Sequence, residues 1–86
     1  MDLGLKGKVA LVAAASKGLG FGVARALATD GAKVSICSRD NASVEAAAKK
    51  LNDETGSEIL AAVCDVTSLD SITAWVEATV AKVIRI

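Results

Sequence analysis

Hydrophobic and polar residues alternate in blocks along the chain, and the apolar blocks come in two lengths. Short continuous apolar runs are typical of strands that are covered on both faces. Such runs occupy residues 8–13, 33–37 and 58–64. Longer segments with apolar residues three or four positions apart predict helices. These segments occupy residues 19–30, 42–55 and 69–83.

The ends of the helical segments carry their own signals. Gly31 and Gly56 follow the first two segments, and glycine is favoured there because it accepts the left-handed conformation that ends many helices. Residues 38–41 contain Ser, Asp and Asn, which favour a turn and can cap the second helix. Thr67 is predicted to cap the third helix, with Asp70 completing a capping box three residues later.

The alternation of strands and helices predicts an α/β fold, with a parallel sheet, helices on both faces and right-handed crossovers. Three strand–helix pairs make about half of a doubly wound sheet. The first strand would then have an unpaired edge, which is a template for association. We therefore expect the isolated chain to self-associate or to be poorly ordered. A weaker hypothesis is that residues 83–86 leave the last helix and pair as a strand.

Apolar stripes predict which face each helix buries. The stripe of the first helix comprises Leu19, Val23, Ala26 and Leu27, and that of the third comprises Leu69, Ile72, Val76, Val80 and Val83. We interpret the third stripe as a face that packs on the sheet, rather than as a coiled-coil or partner-binding face. Trp75 lies one position off this stripe and is predicted to be partly buried packing, not a base-stacking platform. Cys37 and Cys64 are predicted to be small buried hydrophobic residues.

Composition narrows the possible functions. The 86 residues are 52% hydrophobic and balance ten Lys and Arg against ten Asp and Glu, which argues against disorder and against a nucleic-acid partner. The absence of histidine, with two cysteines, argues against a metal site. Because no apolar run reaches the roughly 18–20 residues that span a bilayer, we predict no membrane partner and a cytoplasmic protein. A secretory signal over residues 6–15 is the competing interpretation; Asp2 and the glycine turn that follows favour a buried strand.

The turn between the first strand and the first helix is a candidate binding site. A helix N-terminus exposes backbone N–H groups and a partial positive charge, so it attracts phosphate. Gly18 and Gly20 lack a Cβ atom, which lets a pyrophosphate approach the backbone. The residues predicted to bind a dinucleotide here are Ser16, Lys17, Gly18, Leu19 and Gly20.

The end of the second strand gives an independent signal. Dinucleotide-binding sheets that prefer NAD place an acidic residue about 20 residues after the glycine turn, whereas this chain has Ser38 and Arg39 there. A guanidinium makes charge-assisted hydrogen bonds to a 2′-phosphate, and Lys17 adds a second cation. This pattern predicts NADP as the cofactor. The alternative is that Arg39 and Lys17 are solvated loop charges.

The third strand ends at Asp65, on the same edge of the predicted sheet. Ligands of open α/β sheets bind at the carboxyl ends of the strands, so this carboxylate could accept a hydrogen bond from an adenine amino group. It could equally be a turn or capping aspartate before Thr67.

Three motifs in register resemble the N-terminal part of the classical short-chain dehydrogenase/reductase family. Residues 7–20 are similar to its first strand and T-G-x-x-x-G-x-G turn, Arg39 matches the basic residue of its NADP-dependent members, and residues 64–67 match its D-V segment. The resemblance covers about residues 5–83 and is strongest to the 3-oxoacyl-(acyl-carrier-protein) reductase branch. It implies a Rossmann-type fold, with Ala14 also near the cofactor and Asp65 and Val66 flanking the adenine. Ala13 and Ala14 replace the family's Thr-Gly, so the first motif glycine is missing.

The resemblance also implies what the chain lacks. The family's N-A-G segment, catalytic serine and Y-x-x-x-K pair follow the point where this chain ends, and the chain has no tyrosine. We therefore expect residues 1–86 to be a truncated dinucleotide-binding half domain without the catalytic half and without a catalytic residue. The parent enzyme would move hydride between NADPH and a carbonyl or alcohol substrate, as a homo-oligomer.

Two other classes of protein remain alternatives. A noncatalytic nucleotide-binding α/β module needs no tyrosine, and a Y-x-x-x-K motif in the gene beyond residue 86 would exclude it. A methyltransferase-type sheet usually has an acidic residue at the end of the second strand, and Arg39 argues against it.

Overall fold

Strands and helices alternate strictly in the computed structural model, which describes residues 7–13 and 18–83. In chain order the elements are β1 (Val9–Val12), α1 (Gly18–Thr29), β2 (Lys33–Ser38), α2 (Asn41–Thr55), β3 (Ile59–Val63) and α3 (Leu69–Val83). Each element predicted from the sequence is present, and its bounds differ from the prediction by at most one residue.

The three strands form one parallel sheet in the order β1-β2-β3. Val12 pairs with Ile36 across β1 and β2, and Ser38 pairs with Val63 across β2 and β3. Both connections are crossovers through a helix, as parallel pairing requires. The predicted α/β fold with a parallel sheet and helices on both faces is confirmed, and it is the first half of a Rossmann-type sheet.

Alternate residues of β2 separate two buried clusters, because successive side chains of a strand point to opposite faces. Val34 and Ile36 pack with α1 and α2, whereas Cys37 packs with Cys64 and Trp75 of the α3 side. The larger cluster comprises Ala24, Ala28, Ala32, Val34, Ile36, Val44, Ala47, Ala48 and Leu51. Both cysteines are buried, as predicted.

The buried face of α1 is not the predicted stripe. Leu19 is 86% exposed and Val23 is largely exposed, whereas Ala24 and Ala28 are fully buried. The small alanine side chains let the helix axis approach the sheet, and Phe21 and other larger side chains fill the margins of the contact. Within the stripe, Leu27 is partly buried and packs against the larger cluster, so the stripe and the buried face meet at this residue.

The buried face of α3 is also rotated from the predicted stripe. Trp75 and Thr79 are buried, while Leu69, Val76 and Val80 are exposed. The packing role predicted for Trp75 is confirmed, but its burial is nearly complete rather than partial. Trp75 and Thr79 face the sheet because they form hydrogen bonds with it. The Trp75 indole and the Thr79 hydroxyl both bond to the Ser35 hydroxyl in the middle of β2.

The predicted glycine caps are present. Gly31 and Gly56 have φ of 98° and 71°, and the Gly56 N–H donates to the Asn52 carbonyl at 2.8 Å. Asp40 caps α2 by accepting a hydrogen bond from the Ala42 N–H at 3.1 Å.

The predicted cap of α3 is wrong by one residue. Ser68 accepts from the Ser71 N–H at 3.3 Å and so occupies the capping position. The Thr67 hydroxyl donates instead to Asp65. The Thr67 backbone N–H and hydroxyl both donate to Asp65 Oδ1, in a turn that precedes α3. The helix therefore begins one residue later than the capping-box spacing indicates.

The β1 side of the sheet carries exposed apolar side chains. Within residues 7–13 and 18–83, β1 pairs with β2 alone. Leu11 lies on the sheet face opposite to Val12 and is exposed, as are Val76 and Val80 of α3. Val83 is helical, and residues 84–86 of the strand hypothesis lie outside the described residues. No helix in the described ranges is long and apolar enough to cross a membrane.

Candidate functional site

The carboxyl ends of the three strands bring the predicted binding residues to one edge of the sheet. β1 leads towards the start of α1, β2 ends at Ser38 and β3 ends two residues before Asp65. Ala14, Ser16 and Lys17, which the sequence assigned to cofactor binding, lie outside the described residues. The others follow the strands in the described part: Gly18, Leu19 and Gly20 at the start of α1, Ser38 and Arg39 at the end of β2, and Asp65 and Val66 after β3.

Gly18 opens α1 with a left-handed backbone, at φ 68°. An L side chain would be strained at this angle, and an added Cβ would meet no atom of residues 7–13 or 18–83 within 4 Å. The glycine is therefore required by backbone conformation, while the space beside it is open. Leu19 follows as an exposed side chain, and Gly20 is half-buried in the first turn. The start of this helix thus presents its backbone at an open surface.

Ser38 and Arg39 lie where β2 turns into α2. The Ser38 Oγ accepts from the Asp40 N–H at 3.3 Å, so its own hydroxyl hydrogen can be donated outward. The Arg39 side chain is 76% exposed and directs its Nη2 atom to Asp65. Both residues are therefore available to an anionic ligand at this edge.

Asp40 is the acidic residue next to Arg39, and its carboxylate is committed to α2. One oxygen accepts from the Ala42 N–H and the other from the Ser43 hydroxyl at 2.6 Å. The Ser43 hydroxyl, followed by the Ala42 N–H, lowers the pKa of the Asp40 carboxyl. The Asp40 carboxylate therefore caps α2, and Arg39 is the exposed cation next to it.

Asp65 is held in a tight turn at the end of β3. Its Oδ1 atom accepts from the Thr67 N–H at 2.9 Å and from the Thr67 hydroxyl at 2.7 Å. Its Oδ2 atom lies 3.7 Å from Arg39 Nη2. The turn interpretation of this aspartate is confirmed, and Val66 beside it is exposed. Its interpretation as an adenine acceptor remains a prediction.

Thr67 and Ser71 position Asp65. Thr67 orients the carboxylate, and the Ser71 hydroxyl of α3 accepts from the Asp65 backbone N–H at 2.9 Å. The Asp-x-Thr spacing is a known turn signal, and the sequence indicated this turn, but the role of Ser71 was missed. No local signal reveals Ser71, because that contact depends on where α3 sits on the sheet.

The same contacts lower the pKa of the Asp65 carboxyl. The Thr67 hydroxyl makes the largest contribution and the Thr67 N–H the next; together they lower the pKa of the Asp65 carboxyl below its ordinary value of 3.8, with a smaller contribution from Arg39. A folded-state pKa below the unfolded value stabilises the fold above the unfolded pKa, and this stabilisation is lost as the pH falls through the folded pKa. Asp65 is therefore a carboxylate throughout the neutral range.

Replacing Thr67 by valine should raise the pKa of Asp65 towards its ordinary value. Valine keeps the shape and the backbone N–H bond but removes the hydroxyl donor, which makes the largest contribution. Carbon-detected NMR of the aspartate carboxyl groups across acidic pH measures the shift. Thr73→Val, on the exposed side of α3, is the matched control and should leave the Asp65 titration unchanged. An Asp65 pKa identical in the Thr67→Val and unmodified chains would contradict this account.

Two open cavities of the described residues lie away from Arg39 and Asp65. One of about 480 Å³ lies between α1 and α2, beside Gly18 and Phe21, where the Arg25 guanidinium stacks on the Phe21 ring 5.0 Å from its centroid. Another of about 320 Å³ lies between β3 and α3. Neither is lined by Arg39 or Asp65. At the strand ends themselves, the side chains of Arg39 and Asp65 are accessible, and ligands of open α/β sheets bind in this place.

Comparison with known proteins agrees with the geometry. Residues 8–86 match the short chain dehydrogenase family. The chain is 38% identical over 73 residues to a 3-oxoacyl-(acyl-carrier-protein) reductase of Chlamydia muridarum, covering 85% of this chain and 29% of that protein.

Solved structures of the same fold carry nicotinamide cofactors. The structure is similar to L-sorbose reductase from Gluconobacter frateurii, complexed with NADPH and L-sorbose, with a TM-score of 0.90 and 30% identity over 95% of this chain and 31% of that one. It is also similar to NAD⁺-bound xylitol dehydrogenase, with a TM-score of 0.86 and 30% identity over the same shares of the two chains. This chain therefore spans about 30% of the length of these relatives.

The family match, the sequence identity and the shared fold agree with the resemblance that the motifs indicated. Proteins of this family are oxidoreductases that use nicotinamide cofactors. The chain belongs to the short-chain dehydrogenase/reductase family.

Proposed function

We propose that this chain binds the adenosine end of NADP(H) in a short-chain oxidoreductase. The observation that carries the proposal is the position of Arg39, an exposed guanidinium at the carboxyl ends of the strands, next to a carboxylate that serves a helix cap. A cation at this place attracts a 2′-phosphate, whereas an acid would repel it.

The proposed contacts follow from what each group can donate or accept. The open amides at the start of α1 hold the diphosphate, with Ser16, Lys17 and Gly20 in the same turn. The Arg39 guanidinium and the Ser38 hydroxyl donate to the 2′-phosphate. Asp65 and Val66 contact the adenine, the first through a carboxylate oxygen and the second through an exposed apolar side chain.

The residues in the described part fit this cofactor. Open space beside Gly18 leaves room for a phosphate against the backbone, and Arg39 is accessible. When bound, NADPH would supply the hydride for reduction of a carbonyl. The residues of this chain would hold and orient the cofactor, while the proton transfer would need groups that the chain does not contain.

The activity of the whole protein is part of the same proposal. Residues 1–86 form the first half of the cofactor domain, and further sequence supplies the catalytic half, which would cover exposed apolar groups such as Leu11, Val76 and Val80. The match to a 3-oxoacyl-(acyl-carrier-protein) reductase favours a 3-oxoacyl-type carbonyl or alcohol substrate. We further propose a cytoplasmic homo-oligomer.

Replacing Arg39 by alanine should remove the preference for NADPH over NADH. The loss of a charge-assisted contact to the 2′-phosphate should weaken NADPH binding by about tenfold or more, with NADH binding nearly unchanged. Calorimetric titration of both cofactors into the protein as its gene encodes it measures this ratio.

Arg25→Ala is the matched control for this substitution. Arg25 is another exposed arginine in an ion pair, with Glu54 at 3.0 Å, but it joins α1 to α2 away from the strand ends. Its loss should leave the NADPH-to-NADH ratio intact. Equal affinity for the two cofactors in the unmodified protein would refute the proposed preference.

A further inference from the structure

The two oxygens of the Asp65 carboxylate have different surroundings. Oδ1 accepts two hydrogen bonds from Thr67, one from the backbone and one from the hydroxyl. A carboxylate oxygen has two lone pairs, so this oxygen is saturated. The two bonds also fix the orientation of the carboxylate, because rotation about the terminal torsion would break both.

The second oxygen therefore has to serve any incoming donor. Oδ2 faces the Arg39 guanidinium, with 3.7 Å between Oδ2 and Nη2. This distance is longer than a well-formed charged hydrogen bond. The Arg39 side chain is 76% exposed, so it can move to another anion without disturbing the fold. Asp65 thus holds Arg39 loosely, through the one oxygen that an adenine amino group would use.

We propose that Oδ2 of Asp65 changes partners when cofactor binds: Arg39 moves to the 2′-phosphate, and the adenine amino group takes the vacated oxygen. This inference rests on the proposed function and adds that the phosphate and the base are recognised cooperatively. Without a 2′-phosphate, Arg39 stays beside Oδ2, where its positive charge repels the partly positive amino hydrogens that approach the same oxygen. With the 2′-phosphate, Arg39 moves away and this repulsion ends.

The consequence is a measurable dependence of base selectivity on the phosphate. Hypoxanthine replaces the adenine amino group by a carbonyl oxygen, which cannot donate to a carboxylate and is repelled by it. The preference for adenine over hypoxanthine should therefore be larger among dinucleotides that carry the 2′-phosphate. Exposed ion pairs are weak, so we expect the two preferences to differ by about threefold at low salt, and by less at high salt because the pair is screened.

Four dinucleotides test this inference: NADP⁺, NAD⁺ and the hypoxanthine analogue of each. Their dissociation constants are measured by calorimetry with the protein as its gene encodes it, at low and at high salt. A larger adenine preference in the phosphorylated pair supports the exchange of partners. Equal preferences in both pairs overturn it, even if NADP⁺ binds better than NAD⁺. Equal binding of NADP⁺ and NAD⁺ would instead refute the proposed cofactor preference.

Variants identify the atoms responsible. Arg39→Gln keeps a polar side chain and removes its charge, so the two adenine preferences should become equal. Asp65→Asn should lower both preferences and remove the difference between them. Lys49→Gln removes a cation from the exposed side of α2 and should retain the threefold difference. A difference that survives in Arg39→Gln would show that Arg39 is not the competing partner and would overturn the inference.

Discussion

Replacing Leu51 by alanine is expected to lower the free energy of unfolding by about 3–5 kcal/mol. Leu51 is fully buried between α2 and β2, so the change removes apolar contacts and leaves a cavity. Many neighbours are already alanines, including Ala24, Ala28, Ala47 and Ala48. These short side chains cannot reach into the gap, which places the expected loss in the upper part of the range for such substitutions.

A loss of this size is a large fraction of the stability of a small domain, which is about 5–10 kcal/mol. The melting temperature should fall by at least about 12 °C, measured by circular dichroism at 222 nm, and the urea midpoint should fall with it. Leu69→Ala is the matched control, because Leu69 is 77% exposed on α3. Its expected change is within about 0.5 kcal/mol. Similar destabilisation by the two substitutions would show that the α2 cluster is not the core of the fold.

The order of elements could be predicted from the sequence because it depends on local patterns. The apolar run of β2 and the glycines that end α1 and α2 are visible without tertiary information. Gly56 ends α2 in the left-handed conformation that the sequence indicates. The same holds for the family motifs, each of which lies within a short stretch of the sequence. Local signals therefore determined the fold class and most of the element bounds.

Helix orientation could not be predicted in the same way. In α1 and α3 the stripes consist of aliphatic residues that are mostly exposed, whereas the most buried positions hold small alanines in α1 and Trp75 and Thr79 in α3. Ala24 and Ala28 allow α1 to approach the sheet closely. Trp75 and Thr79 are turned towards the sheet by their hydrogen bonds to Ser35. These choices depend on what the facing strand offers, which a periodicity within one helix does not contain.

The site shows the same division between local and nonlocal information. Arg39 and Asp65 were each assigned to the carboxyl edge of the sheet from the end of a strand. Their contact depends on the register of β2 and β3, in which Ser38 pairs with Val63 and so brings the two following turns side by side. The register follows from the packing of both sheet faces, so the sequence indicated both residues but not their ion pair.

The polar contact beneath α3 gives the second large expected effect. The Trp75 indole nitrogen can only donate, so the Ser35 hydroxyl oxygen accepts from it at 2.8 Å. The Thr79 hydroxyl donates its one hydrogen to the Trp75 carbonyl. In the contact between the two hydroxyl oxygens, at 2.8 Å, Ser35 must therefore be the donor. These three residues form a closed set of hydrogen bonds that joins α3 to the centre of β2.

Replacing Ser35 by alanine should destabilise the protein by about 1–3 kcal/mol, since it leaves the buried Trp75 N–H without an acceptor. Adding Trp75→Phe removes that donor, so the double variant should be less destabilised than the sum of the single changes by about 1 kcal/mol. Urea unfolding of the four proteins measures this coupling, which separates the hydrogen bond from the packing of the ring. Additive losses would mean that the indole finds another acceptor, and that the Ser35 hydroxyl does not anchor α3 to the sheet.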